Sequence, residues 1–328
     1  MDVYIYKLKF RGPNHFGDTG IDLENVSEWV GSDTLFSALI NAMSVVYPKE
    51  KVTEFVNGFK QQPPFLVSSL FLYKSDIYFL PRPMDDSHIP SELRKHKGKE
   101  IKKLKWLDEA GFKKWISGIP LSEDDLNALV SLQQAYRDAF KVEIRPRVTL
   151  DRTTQNSNIY QCGYVHFKDD AGLYGFVAFN DFSIVEPFRK LLITLGETGL
   201  GGERTYGCGL FELVSMEKVS GVFREILFSD VTTFTLLSLY HPSEQEMKGI
   251  GDDLIVYGVV RKKGWITSGR YALPLKRKSI GFFTEGSLLR RRPGGCLADV
   301  TPEGGPLDTL HHSVYRYGYA FTAPIGRQ

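Results

Sequence analysis

The sequence predicts an α+β protein whose first half forms an elaborated ferredoxin-like sheet with helices on one face. Its length of 328 residues is about twice the soft prior of roughly 150 residues per domain, which predicts two domains. Hydrophobic residues make up 42% of the chain and charged residues 24%, a composition that supplies a core and excludes wholesale disorder. The third observation is the order of elements in the first half, which is β-α-β-β, an insertion, and then β-α-β.

A strand and a helix open the chain. Residues 3–10 alternate as a strand does, and the turn-forming segment 12–14 ends it. A loop then leads to a helix that Ser32 or Asp33 can cap and that Pro48 stops. The apolar side chains of this helix recur at helical spacing, at Leu35, Phe36, Leu39, Ile40, Met43 and Tyr47.

A short hairpin and an insertion follow. Residues 65–73 and 77–80 predict a hairpin closed by three residues, which a Pro-Arg-Pro segment then ends. Residues 94–114 are rich in lysine, and residues 122–140 predict a capped amphipathic helix. The stretch from about 82 to 140 is therefore an expected insertion on the sheet.

A long hairpin completes the unusual features of the first half. Residues 142–151 and 159–167 are its arms, and at about 3.3 Å per residue each arm reaches roughly 30 Å from the body. A strand at 173–179 follows, and then a helix that begins near Pro187 and ends at Gly196.

The second half begins at a soft boundary near residue 220. We therefore expect an N-terminal domain of residues 1–219 and a C-terminal domain of residues 220–328. The chain contains no tandem repeat and no low-complexity tail. The strands expected in the second half are 231–240, 254–260, 280–283 and 314–321.

The segment 196–209 has six glycines in fourteen positions, where average usage gives about one. Glycine permits positive φ and close approach to a ligand, and successive N–H groups can form a concave anion site. A nucleotide P-loop and a dinucleotide fingerprint are excluded, because a helix comes first and the segment has no lysine. Arg204 and Tyr206 offer a guanidinium fork and a stacking ring, which favours RNA over an ornate turn.

Positive charge is concentrated in segment 261–292, which has ten Lys or Arg residues against the single acid Glu285, in a chain of net charge +2. Aromatic side chains are interleaved with these cations, as in a groove that follows a nucleic-acid backbone, and a solvated face is an equal alternative. Arg145, Arg147 and Arg152 make the long hairpin a second basic element.

His15 and Phe16 lie between the first strand and the first helix. The imidazole can be satisfied by backbone contacts, contact a ligand, or act as a general acid or base, and the first of these is the most frequent. Phe16 offers a stacking ring. Ser32 is most simply a helix cap, although a helix N-terminus also holds phosphate.

Several classes of protein are excluded. No uncharged apolar run reaches 18 residues and the start does not resemble a signal peptide, which predicts a cytoplasmic protein. Cys162, Cys208 and Cys296 are far apart and odd in number, so neither a disulfide framework nor a zinc cluster is expected, and no cofactor or metal is predicted. Familiar hydrolase motifs are absent, and the acidic segment 249–253 is interpreted as a turn rather than a metal-binding palm.

Five segments resemble the RAMP superfamily of CRISPR proteins, and within it the family of the fourth Csm subunit of type III-A effector complexes. They are residues 7–17 (KLKFRGPNHFG), 32–39 (SDTLFSAL), 79–83 (FLPRP), 145–152 (RPRVTLDR) and the glycine-rich segment 196–209. The resemblance covers nearly the whole chain and is most specific in the first 215 residues. It implies two ferredoxin-like (RRM-like) domains, the first with a helical insertion and a long β-hairpin called the thumb, residues 142–167.

The same resemblance implies a non-catalytic crRNA-binding subunit that caps the repeat-derived 5′ tag and docks the large signalling subunit in antiviral defence. The implied partners are the crRNA and nearby target RNA, the large subunit and the backbone RAMP subunit, with no membrane. The thumb would wedge at the guide-target duplex. The residues expected to bind RNA are His15, Phe16, Gly17, Ser32, Arg82, Arg145, Arg147 and Arg152 and, in the loop, Gly199, Gly201, Gly202, Glu203, Arg204, Thr205, Tyr206, Gly207 and Gly209.

Two other classes of protein use similar residues. A metal-independent RAMP endoribonuclease that processes CRISPR repeat RNA would use His15 as general acid or base, and a free-standing RNA-binding module would need no partner. The insertion and the long hairpin fit the cap better than the nuclease. The 22 Phe and 16 Tyr residues favour buried subunit contacts over a free-standing module.

Overall fold

The computed structural model describes residues 2–17, 23–150, 156–229, 231–266, 275–302 and 312–326. Helices and strands are mixed along the described chain, so the α+β class is confirmed. Among the described residues, no helix has the length and apolar character that crossing a membrane requires.

The first 219 residues contain one large sheet, its helices and the insertion. The strands are β1 Asp2–Phe10, β2 Phe65–Val67, β3 Phe71–Lys74, β4 Ile77–Tyr78, β5 Leu80–Pro81, β6 Trp106–Leu107, β7 Phe140–Leu150, β8 Ser157–Phe167, β9 Ala171–Phe179 and β10 Phe211–Lys218. The α-helices are α1 Ser32–Val46, α2 Lys49–Gln61, α3 Ser91–Lys103, α4 Glu109–Ile116, α5 Glu123–Arg137 and α6 Val185–Thr198. Short 3-10 turns span Phe182–Ile184 and Arg204–Tyr206.

The large sheet is antiparallel and has the order β10-β1-β9-β3-β4, with β2 also paired to β9. Strand β9 is buried along its whole length, as expected for a central strand covered on both faces. Strands β7 and β8 pair with each other from Phe140 and Phe167 out to Leu150 and Ser157. The predicted long hairpin is therefore confirmed, and it leaves the sheet beside the C-terminal end of β1.

The second half contains short strands and short helices. They are α7 Gly221–Leu227, β11 Thr233–Leu236, α8 Glu244–Met247, α9 Ile250–Asp253, β12 Leu254–Val256, β13 Val259–Lys262, β14 Trp265–Ile266, β15 Leu275–Lys276, β16 Ile280–Phe283, β17 Leu288–Leu289, β18 Leu297–Asp299, β19 Tyr315–Tyr317 and β20 Thr322–Ile325. One sheet has the order β12-β17-β11-β20, and β13-β16, β14-β15 and β18-β19 form separate pairs. The predicted strand 254–260 is divided into β12 and β13, and of the predicted strand 314–321 only 315–317 is a strand, with β20 beginning after it.

The predicted strand 65–73 is also divided, because its centre bonds to other parts of the chain. The Ser68 hydroxyl accepts the Phe176 N–H at 2.8 Å, and the Ser69 N–H donates to the Leu237 carbonyl at 2.9 Å. The hairpin that follows closes with two residues rather than three, since Lys74 pairs with Ile77. Ser75 adopts a φ of 52° in this turn.

Two predicted helix ends are wrong, the cap of α1 and the end of α6, whereas Pro48 follows the end of α1 at Val46 as predicted. Gly31, and not Ser32 or Asp33, is the N-cap of α1, because the Ser32 hydroxyl is used by the Leu239 N–H at 3.1 Å. Pro48 precedes a further helix, α2, that the sequence analysis missed. Helix α6 continues past Gly196 to Thr198, and a β-carbon at Gly196 would lie 3.2 Å from the Phe211 ring, so this glycine permits close packing inside the helix.

A buried junction joins the two halves. The Val67 N–H donates to the Tyr317 hydroxyl at 2.9 Å, which adds to the bonds from Ser69 to Leu237 and from Leu239 to Ser32. Arg316 of β19 forms an ion pair with the buried Asp33 of α1. Side chains of both halves also belong to one continuous hydrophobic cluster.

Candidate RNA-binding site

The glycine-rich loop is tied to the segment that follows β1. The Gly202 N–H donates to the His15 carbonyl at 2.8 Å, and the Gly209 N–H donates to the Pro13 carbonyl at 3.0 Å. The Leu200 N–H donates to the Gly209 carbonyl at 2.9 Å and closes the loop on itself. Segments 12–17 and 199–209 therefore form one structured unit at the C-terminal end of β1.

Close approach between backbones explains the glycines of this loop. Gly199, Gly201, Gly207 and Gly209 have φ between 78° and 97°, a region that side chains rarely adopt. A β-carbon at Gly201 would lie 2.5 Å from the His15 carbonyl oxygen. The predicted use of glycine for positive φ and close approach is confirmed, and the group approached in this structure is the protein's own backbone.

The expected anion cradle of glycine N–H groups needs correction. The N–H groups of Gly199, Gly202, Gly207 and Gly209 all donate to carbonyl groups of the protein. The N–H groups of Gly201 and of residues 203–205 have no backbone partner among the described residues. An anion at this loop would therefore meet the start of the 3-10 turn, where Arg204 and Thr205 lie, rather than a row of glycines.

Arg147 of β7 joins the hairpin to the loop. Its guanidinium pairs with the Glu203 carboxylate and donates to the Tyr164 hydroxyl at 3.1 Å. The guanidinium carbon also lies 3.6 Å from the centroid of the Tyr206 ring. Tyr206 itself is 66% exposed, so its ring is available for stacking on a base.

Arg145 lies on the same face of β7 and is more accessible. Both of its bonds, each 2.9 Å long, are to Glu143, and the guanidinium carbon lies 5.5 Å from the centroid of the Tyr164 ring. The hydrogen bonds from Arg145 hold the pKa of Glu143 below its usual range. The Arg145 pair is exposed, and because exposed ion pairs contribute little energy, breaking this pair to bind a phosphate would cost little.

His15 lies in a small buried cluster beside this face. Its Nδ1 is 2.9 Å from the Gly163 carbonyl oxygen, so Nδ1 carries a proton and donates it there. The Cys162 Sγ lies 3.7 Å from the same nitrogen. Burial raises the pKa of the Cys208 thiol, and it raises the pKa of Tyr164 to about 12, so both groups are neutral near pH 7.

Within the ranges that the structure describes, no group of three or more His, Cys, Asp or Glu side chains has the arrangement of a metal site. The cluster of His15, Cys162, Tyr164 and Cys208 is thus a packing unit between the loop and the hairpin. The sequence analysis missed this grouping, since 46 positions separate the two cysteines and they meet only because segment 12–17 bonds both to β8 and to the glycine-rich loop.

Burial also removes the side chains of Phe16 and Ser32 from the surface. The Phe16 ring is buried against Phe10, at a centroid distance of 5.6 Å, so it is a core residue and not a stacking platform. Ser32 is fully buried at the junction of the two halves, and its hydroxyl already serves Leu239. The prediction that these two side chains contact RNA therefore does not fit their burial.

The remaining predicted residues lie in different places. Gly17 forms a bridge with Val26 next to the loop. Arg82 is at the insertion, where it pairs with Asp86 and lies 5.2 Å from the Trp115 ring centroid. Arg152 lies outside the described residues. The structure thus joins His15, Arg147 and the glycine-rich loop, and it places Arg82 elsewhere.

The two faces of the hairpin differ in character. Because paired residues share a face, Glu143, Arg145 and Arg147 lie on the face that meets the loop. The opposite face of the hairpin is apolar and exposed, with Val142, Ile144, Val148, Leu150 and Ile159 on it. An exposed apolar face of this kind indicates a contact with another molecule.

Comparisons of sequence identify relatives. Residues 229–325 match the family model of the CRISPR Csm4 C-terminal domain. The chain is 30% identical over 305 residues to the CRISPR system Cms protein Csm4 of Thermococcus onnurineus strain NA1, with 90% of each chain covered. It is 26% identical over 318 residues to the protein of the same name from Mycobacterium tuberculosis H37Rv, with 97% of this chain and 96% of the relative covered.

Solved structures share the fold. A chain of the crystal structure of the Csm3-Csm4 subcomplex in the type III-A CRISPR-Cas interference complex matches with a TM-score of 0.64 at 18% identity, over 99% of this chain and 100% of that one. A chain of the Csm1-Csm4 cassette in complex with pppApA matches with a TM-score of 0.62 at 21% identity, over 100% and 99% of the two chains. At these identities the likeness concerns the fold.

Proposed function

The chain belongs to the Csm4 family of CRISPR proteins, and we propose that it is a non-catalytic crRNA-binding subunit of a type III-A Csm effector complex. In this role it caps the repeat-derived 5′ tag of the crRNA and docks the large signalling subunit in antiviral defence. Its other partners are the backbone RAMP subunit and the target RNA next to the tag. The Csm1-Csm4 and Csm3-Csm4 structures with the same fold support the two protein partners.

The observation that carries the proposal is the unit formed by the glycine-rich loop, segment 12–17 and the base of the hairpin. It presents a half-exposed guanidinium at Arg145, an exposed ring at Tyr206 and the cation Arg204 within one structured surface. Single-stranded RNA is recognised by this combination of phosphate-binding cations and stacking rings. A loop that only joined α6 to β10 would need none of these side chains.

The two faces of the long hairpin support its proposed role as the thumb. Its basic face meets the loop, and its other face carries branched apolar side chains at the surface. Apolar wedges of this kind unstack base steps in nucleic acids. We therefore assign the basic face to the tag and the apolar face to the neighbouring guide-target pairs.

The environment of His15 supports a non-catalytic role over a metal-independent endoribonuclease. Its Nδ1 proton is committed to the Gly163 carbonyl, and the ring is buried under the loop. A general base needs a positioned route to the proton that it removes from the substrate. The neighbouring thiol and phenol, with raised pKa values, do not offer a second acid or base at neutral pH.

The arrangement of elements supports the two-domain description with a boundary near residue 220. Strand β1, helix α1, the interrupted strand made of β2 and β3, strand β9, helix α6 and strand β10 follow the β-α-β-β-α-β pattern of ferredoxin-like folds. The insertion and the thumb interrupt this pattern between β3 and β9. The second four-stranded sheet, β12-β17-β11-β20, would be the core of the C-terminal domain.

The test is to purify the chain with the large and backbone subunits of its own system and to sequence the 5′ ends of the RNA that accompanies them. A shared repeat-derived start that disappears when the loop carries Gly202→Asp would establish the cap. Bound RNA with heterogeneous 5′ ends would contradict it. Retention of both protein subunits by the Gly202→Asp variant would show that the complex itself still assembles.

A further inference from the structure

A basic two-stranded ribbon lies in the second half. We call residues 257–266 and 275–284 the basic ribbon; β13 pairs with β16 and β14 with β15, antiparallel in both cases. The intervening residues 267–274 lie outside the described part of the chain and do not enter the argument. Lysine and arginine occupy six of the ribbon's positions, and the whole segment from 257 to 284 has no Asp or Glu.

Exposure alternates along the first strand of the ribbon. Val259, Arg261, Lys263 and Trp265 are exposed, and the residues between them are half-buried. Alternation of this kind places the exposed side chains on one outer face, about 6.6 Å apart for successive members. Lys276 on the return strand is also exposed, and it lies directly opposite Trp265 in the ladder.

Trp265 is 44% exposed on this outer face. The Lys276 Nζ lies 5.0 Å from the centroid of its ring, a cation–π distance that steadies the indole in one orientation. A large aromatic ring held among cations is the usual platform on which a single-stranded base stacks. A face that only needed to be soluble would mix charges of both signs and would gain nothing from an exposed tryptophan.

We propose that the outer face of the basic ribbon binds single-stranded RNA without regard to sequence, with Trp265 stacking on a base and Arg261, Lys263 and Lys276 contacting phosphates. RNA fits this face better than a protein partner, because the centres of protein interfaces are depleted in lysine. The proposal rests on the proposed function for the identity of the ligand class. It adds a second contact, separate from the glycine-rich loop.

The experiment measures binding of the purified full-length chain to a fluorescent 20-nucleotide oligouridine by anisotropy, over a range of salt concentrations. Trp265→Leu should weaken binding by about tenfold, the loss of one stacked base, and Trp265→Phe should keep most of the affinity. Arg261→Gln with Lys276→Gln should reduce the slope of log affinity against log salt by about 1.4, since each phosphate contact on a single strand contributes about 0.7.

A matched control removes the same charge elsewhere. Lys99→Gln with Lys103→Gln changes two exposed lysines on one face of α3 and should weaken oligouridine binding by less than about threefold. An equal loss in the control pair and the ribbon pair would overturn the proposal, as would wild-type affinity in Trp265→Leu. Normal oligouridine binding by ribbon variants that no longer retain the partner subunits would make the ribbon a protein contact and would also overturn it.

A different result would contradict the proposed function. Oligouridine carries no repeat tag, so the loss of affinity in Trp265→Leu reports on the ribbon whether or not the chain caps the tag. Heterogeneous 5′ ends on co-purified RNA would contradict the tag cap and leave the oligouridine result standing.

Discussion

The guanidinium of Arg147 on the hairpin is paired with the carboxylate of Glu203 in the glycine-rich loop. The two side chains are 18% and 17% exposed, so the pair is shielded from solvent on most sides. It is a side-chain link between the long hairpin and the loop, and it holds Tyr206 against the guanidinium. The geometry of the proposed RNA surface therefore depends on an ion pair inside the protein.

Arg147→Met should lower the free energy of unfolding by about 1 to 2 kcal/mol, because it leaves the shielded Glu203 carboxylate without its counter-charge. Urea unfolding of the wild type, Arg147→Met, Glu203→Gln and the double variant forms a double-mutant cycle. It should give a coupling energy that is favourable to the pair in the wild type. Arg145→Met is the control, and loss of its exposed pair with Glu143 should lower the free energy of unfolding less than Arg147→Met does. Zero coupling between Arg147 and Glu203 would contradict the link.

Gly202→Asp should abolish retention of repeat-tag RNA while the protein stays folded. A β-carbon at this position would lie 2.7 Å from Cδ2 of His15, so the ring must move, and the carboxylate adds negative charge to the surface. Gly207→Ala is the control, since its φ of 79° brings strain but its β-carbon meets open space. Filter binding and circular dichroism measure the two effects, and normal retention by folded Gly202→Asp would make the loop only a turn.

Gly201 should tolerate substitution less well than Gly202. Its β-carbon would lie 2.5 Å from the His15 carbonyl oxygen, at a φ of 97°, and backbone yields less readily than a side chain. Gly201→Ala should therefore lower the midpoint of thermal unfolding more than Gly202→Ala. Equal midpoints for the two variants would show that the loop adjusts freely.

His15→Ala should lower the stability of the protein and should not change its action on RNA. Loss of the bond to the Gly163 carbonyl costs about 0.5 to 1.5 kcal/mol of stability. End-labelled repeat RNA incubated with wild type in chelator should remain intact on a denaturing gel. Cleavage by the wild type that falls by about 10² to 10⁴ in the variant would instead identify His15 as a general acid or base and establish the endoribonuclease.

Glu285→Gln should stabilise the protein at alkaline pH. Burial raises the pKa of Glu285 to about 7, against a smaller opposing effect of its bond from Ser69. Because the folded state holds this proton more tightly, the contribution of Glu285 to stability is present below about pH 4.5 and is lost as the pH rises to about 7. Urea unfolding at pH 8 should favour the variant by at most about 3 kcal/mol, and the gain should fall to about 1 kcal/mol or less at pH 5.

The control for this pH dependence is Glu186→Gln, at an exposed position on α6. It should change stability by less than about 0.5 kcal/mol at either pH. A gain in Glu285→Gln that is equal at pH 5 and pH 8 would mean that packing, and not the proton, causes it.

The periodicity of apolar residues predicted the elements in which one period continues over many residues. Helix α1, strand β1 and the two hairpin arms have such patterns, and they lie close to their predicted bounds. This periodicity did not predict element boundaries where hydrogen bonds join segments that are distant in sequence. Ser68 and Ser69 interrupt a strand because their partners, Phe176 and Leu237, are distant in sequence.

The site was predicted in outline and corrected in detail. Motif spacing identified the loop, His15 and the arginines, but it could not distinguish an exposed ring from a buried one. Phe16 and Ser32 are buried because the packing of Phe10 and the approach of Leu239 decide their exposure. The pairing of Arg147 with Glu203 follows from the hairpin register, which the sequence pattern did not connect to the loop.

The junction described above limits how this protein can be divided for experiments. A fragment that ends near residue 220 would lose the Leu237 carbonyl that receives the Ser69 N–H and the Tyr317 hydroxyl that receives the Val67 N–H. It would also leave Asp33 of α1 buried without the guanidinium of Arg316. The segment that matches the Csm4 C-terminal family model is thus not separable from the rest of the fold at its boundaries. The properties of this segment should therefore be measured on the intact chain.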